Sequence, residues 1–160
     1  VAVTILMLAI VGPLTVSQKS LVASTYAKDQ IIAAYLAQDA MEFLKNARDT
    51  QVAAGSFSNW VSTYSLLCTS TTPCSIDTYL ATFQQCGNAC LIYDRGDRYT
   101  NSSANPGRAT IYSRNFYLDT TAAATTNSSN EVRVVVRVYW RNALAPSEVL
   151  LESQFFNVSR

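Results

Sequence analysis

The sequence contains no histidine and little charge. Of its 160 residues, 14% are charged, and 12 Lys and Arg stand against 11 Asp and Glu. Without histidine, the residue type most often used as a general base and as a metal ligand is missing. The near-balance of charge also argues against a nucleic-acid partner, because such binding needs a basic face that displaces counterions.

Patterns that carry catalytic chemistry are scarce as well. The chain has only five glycines, no glycine-rich phosphate loop, and carboxylates that stand apart from one another. We therefore predict no enzymatic activity, no catalytic residues and no cofactor. Asp94 and Asp97 offer oxygen ligands for calcium, but their spacing does not follow a calcium-loop pattern, and a tight turn also explains Arg95-Gly96-Asp97. No metal site is predicted.

The apolar residues are unevenly placed along the chain. The first 18 residues carry no charge, and residues 1–16 are close to the roughly 20 apolar residues that span a bilayer. The first residue already lies inside this run, so we expect a leader upstream of it. Gly12-Pro13 interrupts the run, where proline predicts a kink or local melting that is either harmless or accommodated by neighbouring helices.

The segment that follows is typical of an amphipathic helix. Residues 14–54 contain no glycine or proline. Polar residues occupy one side, and the other side carries apolar residues three or four positions apart, namely Val22, Tyr26, Ala33, Leu36, Ala37, Ala40, Leu44 and Ala47.

A helix over residues 1–49 would be roughly 70 Å long. A globule of this chain length has a radius of gyration of about 15 Å, so we expect the helix to extend beyond it. Its apolar half would then have to be covered by lipid or by copies of itself. The sequence thus predicts residues 1–18 as a membrane or filament-core half, residues 19–54 as an amphipathic half, and residues 55–160 as a globular head.

The segment AVTILMLAIVGP, followed by the amphipathic half, resembles the N-terminal segment of the type IV pilin family, which includes the pseudopilins of type II secretion. The resemblance covers residues 1–49, and Pro13 matches the helix-breaking proline of the family. The family's N-methylated first residue and nearby acidic residue have no counterpart here. Its disulfide-bounded loop lies near the C-terminus, whereas the last cysteine here is Cys90.

The resemblance implies an α+β fold with a long N-terminal helix on an antiparallel sheet. It implies a subunit of an extracellular filament that supports adhesion or motility. The implied partners are identical subunits, the inner membrane before assembly, and the assembly machinery. Alternatives are a minor pseudopilin and a membrane-anchored binding module that does not self-associate. The residues expected to pack in the filament core are Val3, Leu6, Ile10, Pro13 and Leu14.

Four cysteines within residues 68–90 indicate a disulfide framework and an oxidising compartment. The segment SIDTYLATFQQCGN predicts a short helix, with Ser75 as N-cap and Gly87 just past its end. Such a helix would hold Cys74 and Cys86 roughly 18 Å apart, which excludes one connectivity. Pairing Cys68 with Cys86 and Cys74 with Cys90 needs nearly extended connectors, so we favour the pairs Cys68–Cys74 and Cys86–Cys90.

The C-terminal half predicts an antiparallel sheet within residues 90–160. In EVRVVVRVYWR, valines alternate with arginines, and a turn at residues 143–146 leads into SEVLLESQFFNV. Residues 90–94 and 109–118 add two further strands. Asn101, Asn127 and Asn157 each begin an N-x-S sequon, and hydroxyl-rich loops offer sites for O-linked sugars, although polar flexible connections explain both patterns as well.

Overall fold

The structure is a computed structural model that describes residues 2–86, 90–102, 107–120, 131–141 and 146–157; at 2 and 5–13 it describes the backbone alone. The fold is α+β, as predicted, and it divides into two units, Val1–Ile32 and Ala33–Arg160. The elements, in chain order, are α1 (Ala2–Ala53), α2 (Phe57–Leu67), β1 (Cys74–Asp77), β2 (Thr82–Gln85), β3 (Leu91–Asp94), β4 (Tyr99–Thr100), β5 (Arg108–Asp119), β6 (Glu131–Arg141) and β7 (Pro146–Phe156).

Helix α1 confirms the predicted long helix and runs four residues past its expected end. The backbone stays helical through Gly12 and Pro13, so the prediction of local melting there is wrong. The helix stops at a glycine with positive φ, Gly55 at +69°. The Gly55 N–H donates to the Val52 carbonyl at 2.9 Å and the Ser56 N–H to the Gln51 carbonyl at 2.9 Å, which is a Schellman motif.

The part of α1 in the second unit buries the predicted apolar stripe. Five of the predicted positions and Met41 are buried, whereas Ala47 is half-buried. Val22 and Tyr26, on the same predicted stripe but in the first unit, are exposed. The buried predicted positions are Ala33, Leu36, Ala37, Ala40 and Leu44.

All strand pairs in the sheet are antiparallel, and the four predicted strands are confirmed as β3, β5, β6 and β7. The sheet is wider than predicted because β1, β2 and β4 join it. Strand β5 is central, because β6 pairs with one of its edges and β1 and β3 both pair with the other. The predicted turn at residues 143–146 falls largely outside the described residues.

The helix predicted from SIDTYLATFQQCGN is wrong, because this segment forms the β1–β2 hairpin. The Asp77 Oδ1 atom accepts the backbone N–H groups of Tyr79 and Leu80, at 3.1 and 2.9 Å, and thereby closes the turn between the strands. Aspartate favours the first turn of a helix and also this kind of turn, so its presence did not decide between them. Gly87, expected just past the helix, lies outside the described residues.

The disulfides join Cys68 to Cys74 and Cys86 to Cys90, the two pairs favoured from the sequence. No helix separates Cys74 from Cys86 within the described residues 74–86, however. In the hairpin Cys74 lies opposite Gln85, so it is close to Cys86 and distance does not exclude that pairing.

The core of the second unit lies on one face of the sheet. Tyr112, Arg114, Phe116 and Leu118 of β5 stand opposite Trp140, Val138, Val136 and Val134 of β6, and all eight are buried. Helix α2, which was not predicted from the sequence, adds an aromatic cluster. The ring centroids of Trp60 and Phe155 lie 5.7 Å apart, and those of Tyr64 and Phe116 lie 6.0 Å apart.

The last strand is attached to α1 through Arg48. Its guanidinium lies 5.0 Å from the centre of the Phe155 ring, and its Nη1 donates to the Phe156 carbonyl oxygen at 3.3 Å. This contact joins residues 108 positions apart in the chain. The first and last elements of the second unit are therefore direct neighbours.

Candidate functional site: an apolar helical surface

The first unit exposes large apolar side chains all round its helix. With about 100° between successive residues, Val3, Leu14 and Leu21 share one side, whereas Val16 lies nearly opposite. The exposed fractions of Val3, Val16 and Leu21 are 66%, 67% and 69%. We call the set the helical apolar surface; it comprises Val3, Leu14, Val16, Leu21, Val22 and Ile31.

A helix that is apolar on every side, as the sequence of residues 1–16 is, is normally buried by neighbours. Of the predicted packing residues, Val3 and Leu14 belong to the helical apolar surface. The side chains of Leu6, Ile10 and Pro13 lie outside the described part of the chain. Among the residues that the structure describes, no helix combines the length and the apolar character that crossing a membrane requires.

Charge is absent from the beginning of this surface. The first charged residue is Lys19, and Lys28 and Asp29 follow it. The hydroxyl of Thr25 donates to the Val22 carbonyl at 2.8 Å, so this polar group is satisfied by its own helix. Up to Lys19, a close contact with another apolar helix would therefore bury no ionised side chain.

The second unit contains a buried cation, Arg114, that joins α1 to two strands. Its Nη1 donates to the Leu36 carbonyl oxygen at 3.0 Å and to Asp39 Oδ2 at 2.7 Å, and its Nη2 donates to the Ile76 carbonyl oxygen at 2.8 Å. Burial lowers the pKa of Arg114, while the hydrogen bond and charge of Asp39 oppose that shift. Asp39 also accepts the Thr78 hydroxyl, at 2.9 Å. The guanidinium is thus held by fixed acceptors, as a structural group would be.

Asp77 is a second buried polar centre. Its Oδ2 accepts the Thr100 hydroxyl and the Asn101 N–H, while its Oδ1 closes the β1–β2 turn. Desolvation raises the pKa of Asp77, but these hydrogen bonds together lower it below its ordinary value. Both carboxylate oxygens are engaged by donors, which favours a structural role over proton transfer.

The candidate calcium ligands belong to a tight turn. The Asp94 carboxylate accepts the Gly96 N–H at 2.7 Å, the Arg95 N–H donates to the Arg98 carbonyl at 3.0 Å, and Gly96 has a φ of +88°. Asp97 forms an ion pair with Arg98 at 3.0 Å. Over the described ranges, no group of three His, Cys, Asp or Glu side chains could hold a metal ion.

The three sequons differ in their surroundings. Asn101 is buried, and its Nδ2 donates to the Leu91 carbonyl oxygen at 3.2 Å, so this side chain is not available to carry a glycan in the folded unit. Asn157 is half-buried. Asn127 lies outside the described residues.

Sequence reasoning missed the role of Arg114, although a signal was present. In the strand ATIYSRNFYL, Arg114 has the same parity as Tyr112 and Phe116, which places it on the apolar face. A charged residue on a core-facing position implies a partner of opposite charge or a hydrogen-bond acceptor. Its main partner, Asp39, lies 75 residues earlier in the chain, and no local pattern connects the two.

Comparison with known proteins adds no relative: no family model, no curated protein and no solved structure matches the chain.

Proposed function

We propose that the chain is a structural subunit of an extracellular filament of the type IV pilus kind, and that it polymerises through the N-terminal part of α1. The observation that carries the proposal is the helical apolar surface, whose members are exposed on all sides of the first unit. The α+β fold, with a long N-terminal helix and a C-terminal antiparallel sheet, is the coarse arrangement expected of a pilin-like subunit.

The apolar surface that can be covered increases with the number of neighbouring helices. Burying a Val, Leu or Ile side chain contributes about 2 kcal/mol, so the helical apolar surface could contribute on the order of 10 kcal/mol when all its members are covered. Association costs on the order of 4–15 kcal/mol in lost freedom. A single partner covers only one side of the helix, whereas a helix surrounded by copies buries every side.

The two disulfides suit a head that matures in an oxidising compartment. Before assembly, the apolar run of residues 1–16 would rest in the inner membrane, where the assembly machinery takes it up. Adhesion or motility would follow from the filament as a whole. A minor pseudopilin would use the same surface, and the number of copies in purified fibres distinguishes it from a major subunit.

The test is a charge placed in the helical apolar surface. Leu14→Asp should abolish fibres, because assembly would bury an unpaired carboxylate, and Leu6→Asp and Ile10→Asp should do the same. The measurement is electron microscopy and immunoblotting of the sheared fibre fraction. Gln38→Asp, which puts the same charge at an exposed position of α1 in the second unit, is the matched control and should leave fibres intact.

Two outcomes would overturn the proposal. Fibres in normal number from the Leu14→Asp variant would exclude this surface from the assembly. A wild-type chain that is found in no fibre and is monodisperse in detergent would instead indicate a membrane-anchored binding module.

A further inference from the structure

A cavity of about 330 Å³ lies in the second unit, where the C-terminal end of α1, helix α2 and strand β2 meet. Its size is near the lower end of the range of ligand pockets, about 300–1,000 Å³. The cavity is separate from the helical apolar surface, and nothing in the proposed filament assembly requires it.

One wall of the cavity is aromatic and firmly held. The rings of Tyr64 and Phe83 are stacked with centroids 4.4 Å apart and planes inclined by 28°, and both residues are half-buried. Trp60 supports them from the core, with its ring centroid 5.3 Å from that of Tyr64. Burial raises the pKa of Tyr64, which keeps its phenol neutral. This wall offers a fixed apolar surface to a ligand at little cost in side-chain entropy.

Another part of the lining is polar but uncharged. Gln51 and Asn59 are exposed, and neither side-chain amide has a protein partner among the described residues. An amide group both donates and accepts hydrogen bonds. The hydroxyls of Thr50 and Thr63 donate to the Asn46 and Asn59 carbonyls, at 2.9 and 2.7 Å, and keep their lone pairs for a ligand.

Charge and polarity together restrict the ligand. The lining contains no Asp, Glu, Lys or Arg within the part of the chain that the structure describes, so an ionised ligand would lose its hydration without gaining a counter-charge. A wholly apolar ligand would leave the two amides without partners. A suitable ligand is therefore neutral, with one apolar face and an edge of groups that donate and accept hydrogen bonds.

A pyranose sugar has these properties, because its C–H groups form an apolar face and its hydroxyls surround the ring. We infer that this cavity binds a neutral carbohydrate, with the apolar face of the sugar beside the stacked pair of Tyr64 and Phe83 and with Gln51 and Asn59 on its hydroxyls. The ligand is a monosaccharide or the end of a short glycan, given the volume of the cavity.

The test uses the intrinsic fluorescence of Trp60 in the full-length chain. The only other tryptophan is Trp140, so the Trp140→Phe variant isolates the signal from the cavity. The protein is kept in a detergent without a sugar headgroup and titrated with glucose, galactose, mannose and N-acetylgalactosamine. Glucuronate and glucosamine serve as charged counterparts.

We expect a saturable change with at least one neutral sugar and weaker binding of the charged counterparts. Asn59→Ala and Gln51→Ala should each raise the Kd by about tenfold, which corresponds to about 1.4 kcal/mol. Both residues are exposed, so the variants should keep the wild-type melting temperature. Asn46→Ala, an exposed amide of α1 outside the lining, is the control and should bind as the parent does.

Three results would overturn the inference. One is the lack of a saturable change with every neutral sugar. The second is unchanged affinity in both the Asn59→Ala and the Gln51→Ala variants. The third is tighter binding of the charged sugars, or of indole alone. Fibre formation is not part of the readout, so a negative result here leaves the filament proposal standing.

Discussion

The two parts of α1 carry similar apolar side chains in different surroundings. In the second unit, Leu36, Ala40 and Leu44 are almost fully buried, whereas Leu14 and Leu21 in the first unit are largely exposed. Apolar residues of one part stabilise the fold of the chain to which they belong. The exposed apolar residues of the first unit do not stabilise the fold of that unit. This difference suggests that a partner covers them.

The largest expected effect comes from truncating a leucine in each part. Leu44→Ala should lower the free energy of unfolding by about 2–5 kcal/mol, because it removes a fully buried side chain and leaves a cavity. Leu21→Ala should change it by less than about 0.5 kcal/mol, since that side chain is exposed. Urea denaturation of the unassembled chain, followed by far-ultraviolet circular dichroism, reports on the helix of both units and measures both. Similar losses in the two variants would contradict the comparison.

A smaller effect is expected at the ion pair that ties α1 to the sheet. Asp39→Ala leaves the buried Arg114 without its only carboxylate contact within 4 Å among the described residues, but the site of Asp39 is half exposed and water can enter it. We expect a loss of about 2 kcal/mol. Asp49→Ala breaks the ion pair between Arg48 and the largely exposed Asp49 and should lose at most about 1 kcal/mol. Equal losses in urea denaturation would show that burial of Arg114 does not set the difference.

The smallest effect concerns pH. The pKa of Asp77 is lower in the folded chain than in the unfolded chain, so its contribution to stability is present above the unfolded value of about 3.9 and is lost as pH falls through the folded value. Asp77→Asn should therefore flatten the dependence of the unfolding free energy on pH below about 4. Denaturation curves at several acidic pH values measure the slope. A slope equal to that of the wild type would exclude Asp77 as its source.

Periodicity predicted the elements that are long and regular. The alternation of valine and arginine identified β6, and the three- and four-residue spacing identified the buried face of α1. Short elements were less well determined. Helix α2 is rich in serine, threonine and aromatic residues that do not favour a helix by themselves, and its aromatic contacts with Phe155 and Phe116 supply what propensity does not.

The candidate sites differ in the same way: one could be predicted from a local sequence pattern and the other could not. The composition of the first residues shows that they are apolar. For that reason Val3 and Leu14 could be predicted as packing residues. The cavity beside Tyr64 and Phe83 could not, because its walls come from three elements and one of them, β2, was predicted as helix. When the side chains of a site are distant in sequence, no local sequence pattern predicts the site.

The contact of Arg48 with Phe155 and Phe156 has a consequence for biosynthesis. Because α1 precedes β7 in the chain, the part of α1 that contacts β7 has no partner there until β7 has been synthesised. The second unit can therefore complete its fold only after β7 has emerged from the ribosome. Until then the apolar stripe of α1 is incompletely covered, and the nascent chain is prone to aggregate.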